Sequence, residues 1–214
     1  RIADAGHEIA CHGESHLPVH GQTVQTFRAD LRSSVALISD LTGQRPVGYR
    51  APEFSIREDC LWALDVLAEE GFEYDSSIFP IRSPRYGIPS WPRGAQLVSG
   101  GRLVELPPAT LPLGGINMPV AGGGWWRLLP QRAVLSALQT MADRGESAVI
   151  YVHPFEMDPE PMAYNGRGLP LWRQWDSARF HVIQNSGRVS VFDKLRAALP
   201  RHEWVTAREL CTWH

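Results

Sequence analysis

Apolar and polar positions change their spacing several times along this chain, and each change predicts an element. Residues 1–5 read as the end of a helix stopped at Gly6, and residues 7–12, closing on Ile9-Ala10-Cys11, as a strand. From Thr23 to Leu41 the apolar positions Val24, Phe27, Leu31, Val35, Leu37, Ile38 and Leu41 keep roughly helical spacing, and Thr42-Gly43 stops them. Pro46 to Ala51 predicts a short strand closed by Pro52. A second amphipathic helix is predicted over Glu58–Glu70, with Leu61, Leu64, Val66 and Leu67 on or near one face and Gly71 at its end. Phe72 to Asp75 predicts a brief strand.

Between Pro80 and Pro130 the pattern breaks into proline and glycine clusters. Leu97-Val98 and Leu103–Leu106 flank Gly100-Gly101 as a hairpin would, and Gly122-Gly123-Gly124 precedes Trp125-Trp126. The stretch is too long for an idle connector, so 80–130 reads as a functional insertion or barrel rim. Helical spacing returns over Gln131–Arg144. Ala148–Val152 then predicts a buried strand that runs straight into His153-Pro154. Residues 158–176 read as a polar loop, Val189–Leu199 as a helix and Trp204–Thr206 as a last strand. Repeated strand–helix alternation argues for one α/β domain over 1–214 with a parallel sheet or barrel. In such folds chemistry collects where strands end, and His12, Arg50, Asp75 and His153 all fall at or just past predicted strand ends.

Composition narrows the function classes. The 214 residues are 43% hydrophobic and 21% charged, as in ordinary globular proteins. A formal net charge of −2 gives no electrostatic case for nucleic acid or an anionic membrane surface. No apolar run reaches the roughly 18 residues of a membrane-spanning helix. Cys11, Cys60 and Cys211 are too few and too widely spaced for a disulfide framework or a CxxC zinc site. Cys11 alternates away from His12 on a strand, which directs it to the core.

The candidate chemistry begins with His12 and His16 in GHEIACHGESH. Two imidazoles four residues apart suit a divalent metal, although a hydrolytic site needs about three protein ligands. His153 emerges abruptly from an apolar run and suits a general acid. Arg50 in RAPEF could grip a carboxylate with its planar fork. Asp75-Ser76-Ser77 could cap a turn or orient a histidine. Trp91, Trp125, Trp126 and Phe155 could stack on sugar faces or pack in the core.

As a set, GHEIACHGESH, GYRAPEFSI (48–56), YDSSIFPIRSPRYGIP (74–89), PVAGGGWWRLLP (119–130) and YVHPFEMDP (151–159) resemble the polysaccharide deacetylase family. This is the NodB-homology, carbohydrate esterase type, and the pieces look most like its exopolysaccharide-locus branch. The resemblance implies a distorted (β/α) barrel with a divalent metal, usually zinc, acting on a polysaccharide or oligosaccharide. It implies that His12 and His16 are metal ligands, that His153 is the general acid, and that Asp75 supports that histidine. It further implies that Arg50 steadies a catalytic aspartate and that Pro52 lines the substrate groove, to which Phe54, Trp125 and Trp126 could add faces for sugar. The family's first motif, an aspartate pair supplying the base and the third ligand, has no counterpart in these residues. The chain is therefore expected to be a fragment lacking the first β/α units and to turn over little. Two other readings fit the same residues: a non-catalytic carbohydrate-binding module, and a hydrolase of small cyclic amides or ureides.

Overall fold

Thr23 opens the first long helix because its hydroxyl accepts from the Thr26 amide at 3.2 Å while the Thr26 hydroxyl accepts from the Thr23 amide at 2.9 Å. This reciprocal cap satisfies two backbone donors that a helix start leaves orphaned. Helix α1 then spans Val24–Thr42, and Gly43 ends it in left-handed backbone. The structure is a computed structural model and describes residues 1–158, 160–162, 170, 178 and 181–212. The core-facing stripe of α1 is Phe27, Leu31, Ser34 and Val35, the i, i+4, i+7, i+8 spacing of an amphipathic helix. Val24, Leu37 and Leu41, which spacing alone grouped with that face, are exposed because they lie off the stripe or in the end turns.

The chain divides into two compact units, the first of residues 1–118 and 205–214, the second of residues 119–204. The first holds a four-stranded sheet made from β1 (Gly48–Tyr49), β2 (Tyr74–Asp75), β3 (Gln96–Val98) and β4 (Leu103–Glu105), in the order β1-β2-β4-β3. The pairs β1–β2 and β2–β4 are parallel and β3–β4 is antiparallel. Helix α2 (Trp62–Glu69) follows a 3-10 turn and buries Ala63, Leu64, Val66 and Leu67. A second hairpin joins β5 (Thr110–Leu113) to β6 (Ile116–Pro119).

Two strand expectations are corrected. Residues 7–12 form no strand; only Cys11 meets the sheet, its amide on the Gly48 carbonyl at 2.8 Å and its carbonyl taking the Arg50 amide at 3.0 Å. Just upstream, Glu8 takes the Tyr74 hydroxyl at 2.8 Å and the Arg208 amide at 3.1 Å. Trp204–Thr206 is not a strand either. Thr206 is the N-cap of a short helix, α6 (Ala207–Cys211), paired with Glu209 in a capping box.

The second unit contains α3 (Gly123–Leu128), α4 (Gln131–Asp143) and α5 (Ser190–Ala198). They close over Trp126, Val134, Leu138, Val191 and Ala198. Residues 148–152, expected as a buried strand, are half-buried, with Tyr151 bridged in parallel to Gly122. That approach requires glycine: Gly122 has φ 107°, and a Cβ there would fall 2.2 Å from the Tyr151 carbonyl oxygen. Most of the loop expected at 158–176 lies outside the described residues. Among the described residues no helix is long and apolar enough to cross a membrane.

Candidate functional site

In the first unit the HGESH segment is folded back by a residue the motif does not contain. Asp30 of α1 accepts the Ser15 amide at 2.9 Å, the Ser15 hydroxyl and the Glu14 amide at 3.2 Å. The turn needs Gly13 at φ 75°, where a Cβ would sit 2.7 Å from the Asp30 Oδ2. It brings His16, itself left-handed at φ 52°, against His12, with ring centroids 5.1 Å apart and edges crossed at 74°. His12 Nδ1 lies 2.6 Å from the Arg50 carbonyl oxygen. A carbonyl only accepts, so Nδ1 carries the proton and the ring's lone pair is on Nε2, as in histidines that ligate metals through Nε2. The donor chemistry of the pair therefore fits a borderline divalent cation. Among the described residues no cluster of three or more His, Cys, Asp or Glu side chains completes a ligand set. Cys11 is core, 1% exposed, with its thiol on Ser34.

Arg50 leaves β1 and turns its side chain onto the next strand end. Its Nε donates to the Ser76 carbonyl at 2.9 Å and its Nη2 to the Ser76 hydroxyl at 2.7 Å. Pro52 is buried and opens a 3-10 turn in which Glu53 and Phe54 both adopt left-handed backbone, φ 56° and 54°. Each such non-glycine residue costs about 1–3 kcal/mol, so neighbouring contacts must hold the turn. One is the Arg50 guanidinium, 5.6 Å above the Phe54 ring; others are Phe79 and Tyr86, whose centroids lie 5.4 and 6.0 Å from Phe54. Asp75 is fully buried, accepts from the Ser77 hydroxyl and pairs with Glu105, a residue that motif reading missed.

In the second unit His153 is half-exposed, its ring between Phe155, stacked at 5.1 Å, and Tyr151, edge-on at 5.8 Å. Its carboxylate partner is Glu156, three residues on. Glu156 is fully buried and receives the His153 amide at 2.9 Å on the oxygen that lies 3.2 Å from His153 Nδ1. Arg127 Nε backs the other carboxylate oxygen at 3.3 Å. Burial pushes the Glu156 pKa up, but the hydrogen bonds from the His153 ring and amide and the charges of His153 and Arg127 outweigh it and hold the carboxyl below its ordinary value. The available sequence signal was HPFE, a side chain three residues past a Pro-started turn, the spacing of a capping box. Trp126, expected to face sugar, is 0% exposed and donates its indole N–H to the Val120 carbonyl at 2.9 Å. Trp125 is half-buried.

Residues 1–74 match the polysaccharide deacetylase family, and residues 76–212 match a domain of unknown function designated DUF3473. A peptidoglycan deacetylase of Helicobacter pylori is 43% identical over 79 residues, which are 36% of this chain and 25% of that protein. The chain thus matches about a quarter of the length of its curated relatives. A Mycobacterium smegmatis structure assigned as a polysaccharide deacetylase aligns over 96% of this chain and 68% of its own, at 24% identity and a TM-score of 0.51. One from Pseudomonas aeruginosa, assigned likewise, aligns over 98% and 59%, at 15% identity and a TM-score of 0.58. These likenesses are of fold, the mixed α/β arrangement of the deacetylase barrel. From its N-terminal motifs through the DUF3473 region that makes up more than half of it, the chain belongs to the polysaccharide deacetylase family.

Proposed function

We propose that the protein acts in metal-dependent removal of N-acetyl groups from a bacterial polysaccharide. The observation that carries this reading is the His12–His16 pair, in the segment matching the deacetylase family, with the Arg50 carbonyl setting the tautomer of His12. The relative named as a peptidoglycan deacetylase supports a glycan bearing N-acetylated amino sugars as substrate. A divalent cation held by His12 and His16 among its ligands would supply Lewis acidity toward the acetyl carbonyl.

The chain's own residues take the remaining roles apart from that of the base. Arg50, its guanidinium fixed on Ser76, is the residue that would steady the family's proton-accepting aspartate, which has no counterpart in these residues. His153 protonates the departing amine. The Glu156 carboxylate beside Nδ1 supports this role, since it fixes the ring's orientation and leaves Nε2 for proton transfer. Asp75 maintains the Arg50 end of the sheet. Pro52, Phe54 and Trp125 offer apolar surface to sugar rings; Trp126, enclosed in the core, is not assigned that role.

The test is acetate release from N-acetylglucosamine oligomers and from peptidoglycan, with and without a chelator, by a protein that carries the family's aspartate pair together with these residues, in the wild type and in His12→Ala and His153→Ala. Chelator-sensitive release that falls about 10²–10⁴-fold in His153→Ala is expected for a lost general acid. Oligosaccharide binding that ignores chelator and releases no acetate would instead establish a carbohydrate-binding module. Turnover of a cyclic ureide but of no glycan would overturn the substrate class.

A further inference from the structure

Asp75 and Glu105 are register partners on the parallel strands β2 and β4, so their side chains leave the sheet on the same side. Both are 0% exposed. Each has one satisfied oxygen: Asp75 Oδ1 takes the Ser77 hydroxyl, and Glu105 Oε1 takes the Ile78 amide at 2.9 Å. The other two oxygens, Asp75 Oδ2 and Glu105 Oε2, are buried with no donor from any other described group. Two carboxylates side by side in a dry core cannot both ionise, and two orphaned acceptors that face each other need one hydrogen between them.

We propose that Glu105 is a positioning residue: it holds the proton of an Asp75–Glu105 pair at neutral pH, and this singly charged pair locks the ends of β1, β2 and β4 so that the Arg50 turn keeps its shape. The connections run outward from the pair. The Ser77 hydroxyl that donates to Asp75 accepts the Ala51 amide at 2.7 Å. Ser76, between them, binds the Arg50 side chain and donates its hydroxyl to the Leu106 carbonyl at 2.6 Å. The Leu106 amide returns to the Asp75 carbonyl at 2.7 Å. The ionisable groups facing the pair are Arg50 and Tyr49 from the β1 end, and Arg50 supplies the compensating positive charge. Burial, first, raises both carboxyls; Asp75's proximity raises Glu105 further, well above its ordinary value, whereas hydrogen bonds from Glu105 and Ser77 restrain Asp75. The inference extends the proposed function but uses none of its chemistry, so its test needs neither metal nor substrate.

The experiment compares the full chain with Glu105→Gln, which keeps a donor, and Glu105→Ala, which removes it. A folded-state pKa above the unfolded value means the native state binds the extra proton, so wild-type stability falls as pH rises above the ordinary glutamate value. The unfolding constant of wild type relative to Glu105→Gln should therefore increase by up to tenfold per pH unit between pH 5 and 7. At pH 7 the infrared spectrum should show a buried protonated carboxyl that Glu105→Gln lacks. Hydrogen exchange at the Ala51 and Ile78 amides should match wild type in Glu105→Gln and quicken tenfold or more in Glu105→Ala. Parallel pH profiles, no protonated carboxyl at pH 7, or unchanged exchange in a folded Glu105→Ala would each overturn the proposal. Absence of deacetylation with these three results intact would sink only the functional reading.

Discussion

Replacing Glu156 tests the second unit's histidine where its energetics are most readable. Glu156→Ala deletes an acceptor for the His153 amide at 2.9 Å, one for the His153 ring at 3.2 Å, and the counter-charge of Arg127 at 3.3 Å. A hydrogen bond to a charged group contributes about 1.5–3 kcal/mol net, and the amide bond falls in that class. The ring is half-exposed, so its share is screened to roughly 1 kcal/mol or less. Arg127 is 9% exposed but keeps the Gln184 carbonyl and side-chain oxygens at 2.7 and 2.9 Å, so it is not stranded outright. The total expected for Glu156→Ala is about 2–4 kcal/mol, below the full cost of stranding a buried charge. Glu156→Gln keeps an acceptor for the amide and should lose about 1–2 kcal/mol. The pH dependence carries a definite sign. Glu156 is held below its ordinary carboxyl value, so its contribution is complete above pH 4.5 and is lost as pH falls through the folded-state value. Urea denaturation of the three proteins at pH 7 and pH 3 reads both quantities. A Glu156→Ala cost under about 1 kcal/mol at pH 7, or an equal cost at both pH values, would refute the reasoning.

Other outcomes follow from single contacts. Gly13→Ala forces a left-handed alanine against Asp30, at about 1–2 kcal/mol for the backbone alone; a thermal melt should fall by roughly 2–8 °C, and zinc titration should weaken with it. Trp126→Ala should cost about 3–5 kcal/mol in denaturant, while Trp125→Ala should leave stability within about 0.5 kcal/mol and weaken oligosaccharide binding. Lys194, the chain's one lysine, is buried with its ammonium on the Trp126 carbonyl, which has no helical donor because residue 130 is proline. Lys194→Met should therefore cost about 1–3 kcal/mol by urea titration despite its matched length.

How much of this was legible beforehand varied with the range of the interaction involved. Helix α1 was readable to within a residue at its start because its cap, stripe and stop are local: Thr23, the Phe27–Val35 spacing and Gly43 lie within one segment. The β3–β4 hairpin was readable for the same reason, its turn glycines lying between the strands. The similar Gly114-Gly115 turn of β5–β6 is less legible because proline at 112 and 119 disguises the strands. Strand ends in the parallel sheet were less readable. Whether residues 7–12 pair along their length depends on Gly48 and Tyr49, almost forty positions away, and only Cys11 does so.

The sequence by itself determined the family, through the resemblance of its motifs, and, through spacing, the α/β alternation and the candidate residues His12, His16, Arg50 and His153, since motifs and spacing are properties of short segments. Tertiary structure alone decided which carboxylates serve which groups. Asp30 comes from α1 to hold the HGESH turn, and Glu105 crosses from β4 to meet Asp75. Glu156 is near His153 in sequence, but Arg127, whose charge adds to the His153 contacts that hold it ionised, comes from α3. Trp125 and Trp126 are adjacent and chemically identical; the rotation of a single helix buries one completely and leaves the other half-covered. Burial and electrostatic partnership are set by distance in space, which chain position encodes only where the backbone keeps neighbours together.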